Sequence, residues 1–319
     1  MNCLLLNINN KLIRMKLSFL YAFLLLLPFK ILAQKTLAEK LGYSKNDKLL
    51  IVHADDLGLS HSEDHASFAA LEMGMITSGS VIVPAPWFLE VAEYKKLRPN
   101  ADIGIHFTLT SEWINYKWRP VTDAPSITDF SGYFFDNCAD MENNAKYKEV
   151  EKELRAQIDV AIINGIYPTH LDIHMGCLVY SELNYFKLYL KLGREYKIPV
   201  MVTTGGLSKE YKSAISEDDI VIDNVYSAGA QHFDQVGGLA ERYRDILKNL
   251  KPGVSALVLH AAYDSKEMQQ ITISKKYWGA KWRQDDFNFF TSEEYKQLLE
   301  KQNIKLISWK EIGDKLIKK

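Results

Sequence analysis

The segment Leu49-Leu50-Ile51-Val52-His53 is apolar at successive positions until its last residue, and then stops at Ala54-Asp55-Asp56. A strand of this kind has no face to give to water. It must be covered on both sides, which points to a parallel sheet whose crossover helices pack against it. The rest of the chain repeats the theme. Further strands are predicted at Ser80–Val83, Ile103–Leu109, His170–His174, Val200–Thr203, Ile220–Val225, Ala256–His260 and Lys305–Ser308. Helical patterns fall between them at Asp64–Met73, Trp87–Leu97, Val150–Ile163, Ser181–Tyr196, Gly238–Leu250 and Ser292–Gln302. This alternation predicts an α/β, (β/α) barrel-like fold, regular or not, and a barrel of about 250 residues fits the 319 present. No G-x-G-x-x-G or Walker pattern supports a dinucleotide or nucleotide fold.

Two stretches break the rhythm. Trp113–Tyr147 carries Pro120, Pro125, Gly132 and several aromatics, and Ser265–Phe289 is polar with Tyr277, Trp278 and Trp282. Both read as long βα loops over the active face, the usual place for specificity and lid functions. At the N-terminus, Lys11, Arg14 and Lys16 precede the apolar run Leu17–Pro28, followed by Ile31-Leu32-Ala33-Gln34. A basic region, a short apolar region and a small residue before the cut predict a signal peptide over residues 1–33, with translation starting at Met1 or Met15. The run falls short of the ~20 residues a membrane span needs. The expectation is therefore an exported protein, without stable membrane insertion after cleavage, whose residues 34–319 form a single domain. Lys+Arg 39 against Asp+Glu 40 leaves no electrostatic case for nucleic acid. Of three cysteines, Cys3 leaves with the leader; Cys138 and Cys177 read as core or loop thiols rather than a disulfide framework.

Four strand ends present an acid or a histidine where the apolar run stops: Asp55-Asp56, His106, His170-Leu-Asp172-Ile-His174, and His260. In a parallel barrel the carboxyl ends of the strands meet on one face, so these groups propose one shared site. Adjacent carboxylates at Asp55 and Asp56 repel unless a cation or proton neutralises them, and a divalent metal does so. One can hold the ion while the other takes a proton from water, given a turn at Leu57-Gly58 that aims both inward. Histidines supply the remaining donors, and two imidazoles with one carboxylate leave positions open for water and substrate. Strand alternation places His170, Asp172 and His174 on one face and does not choose between the two histidines as ligand.

The series His53-Ala-Asp-Asp-Leu-Gly58, Gly104-Ile-His106 with Leu109, and His170-Leu-Asp-Ile-His174 resembles the motifs of the YdjC/ChbG-type carbohydrate deacetylases, across roughly residues 48–300. The resemblance implies a barrel-like enzyme that uses one divalent ion, magnesium or zinc, to remove acetyl groups from N-acetylated sugars or oligosaccharides. By it, Asp56, His106 and His170 match the metal ligands and Asp55 the catalytic base. His260 matches a general acid or transition-state stabiliser, although His260-Ala261-Ala262 stands where the family often has His-Pro-Gly. Arg283-Gln-Asp-Asp286-Phe287 stands for the family's Arg-x-x-Glu-Leu, so Arg283 is expected to orient an active-site acid. Asp172 and His174 fall to supporting or substrate-facing positions. Met175-Gly176, where further histidines are frequent, departs from the family and bears on substrate class.

In the expected mechanism Asp55 activates water, and a protonated group, His260, serves the departing amine. Two alternatives stay open: an exported sugar-binding protein without catalysis, and a metal-dependent phosphoesterase or amidohydrolase. The sequence leaves sugar, linkage, metal and oligomeric state undetermined.

Overall fold

In the computed structural model, residues 35–317 are described, and the predicted leader at 1–33 lies outside them. The strands are β1 (Lys48–Leu57), β2 (Ser78–Val81), β3 (Ile103–Phe107), β4 (Leu171–Ile173), β5 (Asn224–Tyr226), β6 (Gly253–Leu259) and β7 (Ile304–Leu306). The longer helices are α1 (His61–Glu72), α2 (Phe88–Leu97), α3 (Tyr147–Ile163), α4 (Leu183–Tyr196), α5 (Gly238–Lys248), α6 (Ala280–Phe290), α7 (Glu293–Lys301) and α8 (Trp309–Leu316). All strand pairs are parallel, in the order β4-β3-β2-β1-β6-β5, with β7 paired to the start of β1. Parallel bridges from Leu171 to Val200 and from Thr203 to Ile222 carry the pairing from β4 towards β5. The sheet therefore curls into the predicted barrel-like α/β fold.

The double covering of β1 is visible residue by residue. Leu49 to Ala54 are all buried. Leu50, Val52 and Ala54 join the main core, while Leu49 and Ile51 join a smaller cluster with Val254, Ala256, Trp309 and Ile312. His53 and Asp55 continue the second face, as alternation requires. The inner face is thus apolar at one end and ionic at the other.

The predicted loop at Ser265–Phe289 is corrected. It holds a short helix, Lys266–Ile271, and then α6, whose buried positions include Trp282, Arg283, Asp286, Phe289 and Phe290. These recur with helical spacing, but two of them are charged, so the apolar periodicity that signals a helix is broken. Trp113–Tyr147 is a loop for most of its length, with a 3-10 turn at Pro125–Ile127 and a short α-helix at Cys138–Asn144.

Cys138 on that helix is joined to Cys177, 39 residues away, in a disulfide, which corrects the reading of two separate thiols. The sequence could not show it, because the loop must first fold back over the end of β4 before the two meet. Breaking the bond with a Cys138→Ser, Cys177→Ser pair should lower stability by about 3–4 kcal/mol on loop-closure grounds. Urea denaturation checks this: an unchanged midpoint would show the loop is held by other contacts.

Candidate active site and metal centre

Asp55 and Asp56 would point to opposite sides of a regular strand. Between Ala54 and Leu57 the register of β1 against β2 shifts, and Asp56 takes a left-handed conformation with φ 68°. This irregularity turns both carboxylates into one cleft of about 770 Å³ at the carboxyl ends of the strands. The reversal lies at Asp56 itself, with Gly58 following at φ 85°.

Asp172 on β4 is the centre of the ionic layer below. Its Oδ1 accepts from His106 Nδ1 at 2.8 Å, and its Oδ2 from His53 Nε2 at 2.6 Å and Ser80 Oγ at 2.7 Å. Burial alone would lower the pKa of His106, but Asp172, Asp55 and Asp56 outweigh it and hold it well above the usual value. For His53, burial is likewise outweighed by Asp172 and Asp55, and the pKa rises to about 9. Fixing His106 through Nδ1 leaves Nε2 facing the cleft, the arrangement by which an outer carboxylate sets a ligand's tautomer.

His174 follows β4 and presents Nδ1 to the same spot, while its Nε2 lies 3.0 Å from Glu112 Oε2. Asp56 Oδ1 completes a triangle. It lies 3.4 Å from His106 Nε2 and 3.2 Å from His174 Nδ1, and the two nitrogens are 3.3 Å apart. Donors bound at 2.0–2.1 Å around a tetrahedral ion lie roughly 3.3 Å from one another. Asp56 Oδ1 is buried and accepts no well-aligned hydrogen bond. The residues fit a divalent ion by spacing, by donor chemistry and by this orphaned oxygen.

His170 is not among them. It shares the inward face with Asp172 and His174, as alternation predicts, but each two-residue step descends about 6.6 Å along the strand. His170 therefore lies below the ionic layer, stacked on Trp309 (centroids 5.4 Å) and 3.6 Å from Asp102. The structure groups His174, rather than His170, with Asp56 and His106. Gly104 is what admits the His170 ring: a Cβ there would collide with three atoms of it. Gly104→Ala should cost about 1–3 kcal/mol through overpacking; a thermal melt at the wild-type midpoint would contradict this.

The remaining predicted residues surround the triangle. Arg283, buried on α6, donates to Asp56 Oδ2 at 2.8 Å and to Glu63 Oε2 at 2.7 Å, which places it against an acid of the triangle. Burial would raise the Asp56 pKa, yet Arg283 first, then His106 and His174, keep it well below the carboxylate range. His260 lines the cleft with Nε2 4.0 Å from Asp55 Oδ2, and its backbone N–H donates to Asp286 Oδ2. Burial lowers the His260 pKa to about 4. That favours the neutral imidazole at pH 7. Glu112, Glu63 and Ser80 were not singled out from the sequence, where each is an isolated polar residue without a motif.

The YdjC-like protein family model matches residues 49–301. The chain belongs to the YdjC-like family. A carbohydrate deacetylase of Brevibacillus brevis is 29% identical over 266 residues, 83% of this chain and 99% of that protein. A carbohydrate deacetylase of Thermus thermophilus is 38% identical over 166 residues, covering 52% of this chain and 57% of its own length. The fold is matched by a crystal structure from Enterococcus faecalis of a protein proposed to cleave cellobiose phosphate. The TM-score is 0.69 at 24% identity, over 82% of this chain and 98% of that one.

Proposed function

We propose that this YdjC-like protein is a metal-dependent carbohydrate deacetylase acting on acetamido groups of sugars or short oligosaccharides. The observation that carries the reading is the triangle of Asp56 Oδ1, His106 Nε2 and His174 Nδ1, at 3.2–3.4 Å spacings, on the floor of the cleft. Two imidazoles and one carboxylate favour a zinc-class ion over magnesium, which prefers oxygen donors. When bound, such an ion supplies Lewis-acid polarisation of an acyl oxygen and acidifies water.

The chain's own groups supply the proton traffic. Asp55 Oδ2 lies 3.9 Å from His106 Nε2 and 4.0 Å from His260 Nε2, beside the triangle rather than in it. It is placed to take the proton of the attacking water. His260 is neutral at this stage, so it can pass that proton from Asp55 to the leaving nitrogen. Arg283 and Asp172 hold Asp56 and His106 in place, and Glu112 does the same for His174. Along the cleft wall, Met175, Tyr180, Met201, Leu207 and Trp278 offer apolar and aromatic surface suited to the faces of a sugar ring.

An exported location is part of the same proposal. It is supported by the leader-like pattern at residues 1–33 and by the Cys138–Cys177 disulfide, a bond that persists in oxidising compartments.

The deciding assay is acetate release from N-acetylated chitobiose by the purified protein, before and after chelation. Acetate should be released, lost on removal of the ion, and restored by zinc. Ion bound with no acetate from any acetylated sugar would instead favour the sugar-binding alternative.

A further inference from the structure

A second group of metal-ligating side chains lies outside the cleft, on the surface where α1 meets α2. His61 and His65 are one helical turn apart on α1, with ring centroids 4.0 Å apart. Glu90, in the first turn of α2, brings Oε1 to 2.8 Å from His61 Nδ1 and 3.5 Å from His65 Nε2. One donor atom from each of the three lies within 4.8 Å of the others. Both imidazoles are about half exposed, 47% and 53%, so an ion reaches them directly from solvent. None of the three lines the cleft.

Behind this group lies a second, buried carboxyl. Glu90 Oε2 is buried without a donor, and so is Oδ2 of Asp64, whose carboxyl lies within hydrogen-bond reach of Glu90. Asp64 spends its other oxygen on the Gly58 N–H, at 2.6 Å. Burial, ahead of the Glu90 charge, holds the Asp64 carboxyl well above the usual range, so Asp64 can donate to Glu90 Oε2 and leave Oε1 to the two imidazoles. The two histidines add the imidazole donors that zinc, nickel and copper prefer, whereas magnesium and calcium favour all-oxygen sites.

We propose that His61, His65 and Glu90 form a second, surface site for a zinc-class divalent ion. The ion braces α1 to α2. Through Asp64 and Gly58, that brace reaches the turn that follows Asp56. The site differs from the cleft in serving position and stability rather than the reaction, and it stands whether or not the chain deacetylates sugars.

The test compares the intact protein with a His61→Ala, His65→Ala double variant, using zinc alone as the probe. Alanine at two exposed helical positions favours the helix, so the variant should fold. Zinc per chain, measured after equilibration in zinc-buffered solution, should fall by one in the variant whatever the cleft binds. Zinc at a hundredfold excess over the site's Kd should raise Tm by about 5 °C more in the wild type than in the variant. A Glu90→Gln protein, which keeps the side-chain shape but not the charge, should bind this zinc at least tenfold more weakly. Equal stoichiometry with superimposable zinc-dependent melting curves would overturn the proposal.

Discussion

A His174→Ala protein should lose the ion of the cleft and nearly all turnover, whereas His170→Ala should keep both and pay in stability. His174 Nδ1 is one corner of the three-donor triangle, within 3.3 Å of the other two. Removing a direct ligand should weaken binding by more than the 10–100-fold typical for loss of an outer partner. Turnover should fall by about 10²–10³ at limiting metal, matching the several kcal/mol that a Lewis acid contributes. His170 instead fills space between Gly104 and Trp309, and Asp102 keeps Ser78, Thr169 and the Lys310 N–H as donors without it. Its truncation leaves a cavity worth about 2–4 kcal/mol. Metal content and kcat measured per folded molecule, beside a thermal melt, separate the two. If His170→Ala lost the ion and His174→Ala kept it, the geometric assignment would be wrong.

The second large effect concerns Asp55. Asp55→Asn should lower kcat by about 10²–10⁴, the range expected for a general base, and leave the ion in place. The reason is that Asp56, His106 and His174 keep their own supports in Arg283, Asp172 and Glu112. Metal analysis of the variant is the essential control. Loss of the ion along with activity would make Asp55 a ligand, and near-normal kcat with bound ion would move the base elsewhere.

Much of this was legible in the sequence because the physics is local. Strands apolar on both faces announce a covered parallel sheet, and ionisable groups at their ends announce a shared face. The same-face relation of His170, Asp172 and His174 follows from strand alternation. Which of the three reaches the cleft does not, because depth along the barrel depends on how β4 registers with β3. The bulge that turns both Asp55 and Asp56 inward is another case. A pair of aspartates before Leu57-Gly58 suggests a turn, but the left-handed residue is Asp56, a matter of pairing with β2. Helix α6 was hidden for a different reason. Arg283 and Asp286 sit at core positions, satisfied by Asp56, Glu63, Tyr243 and the His260 N–H, partners distant in sequence. The Cys138–Cys177 bond was equally invisible, since it spans two segments that approach only in the folded chain.

The ionic layer around Asp172 has a consequence for how such a protein can diversify. Its members come from four adjoining strands, and each is buried, so a single replacement strands a partner away from water. Drift there requires concerted changes and should be rare. Met175, Tyr180 and Trp278, by contrast, are partly exposed at the cleft rim and lie outside the strands. A randomised library confined to those rim positions should therefore yield mostly folded proteins with altered sugar preference, while the same number of changes in the layer below should yield mostly insoluble ones.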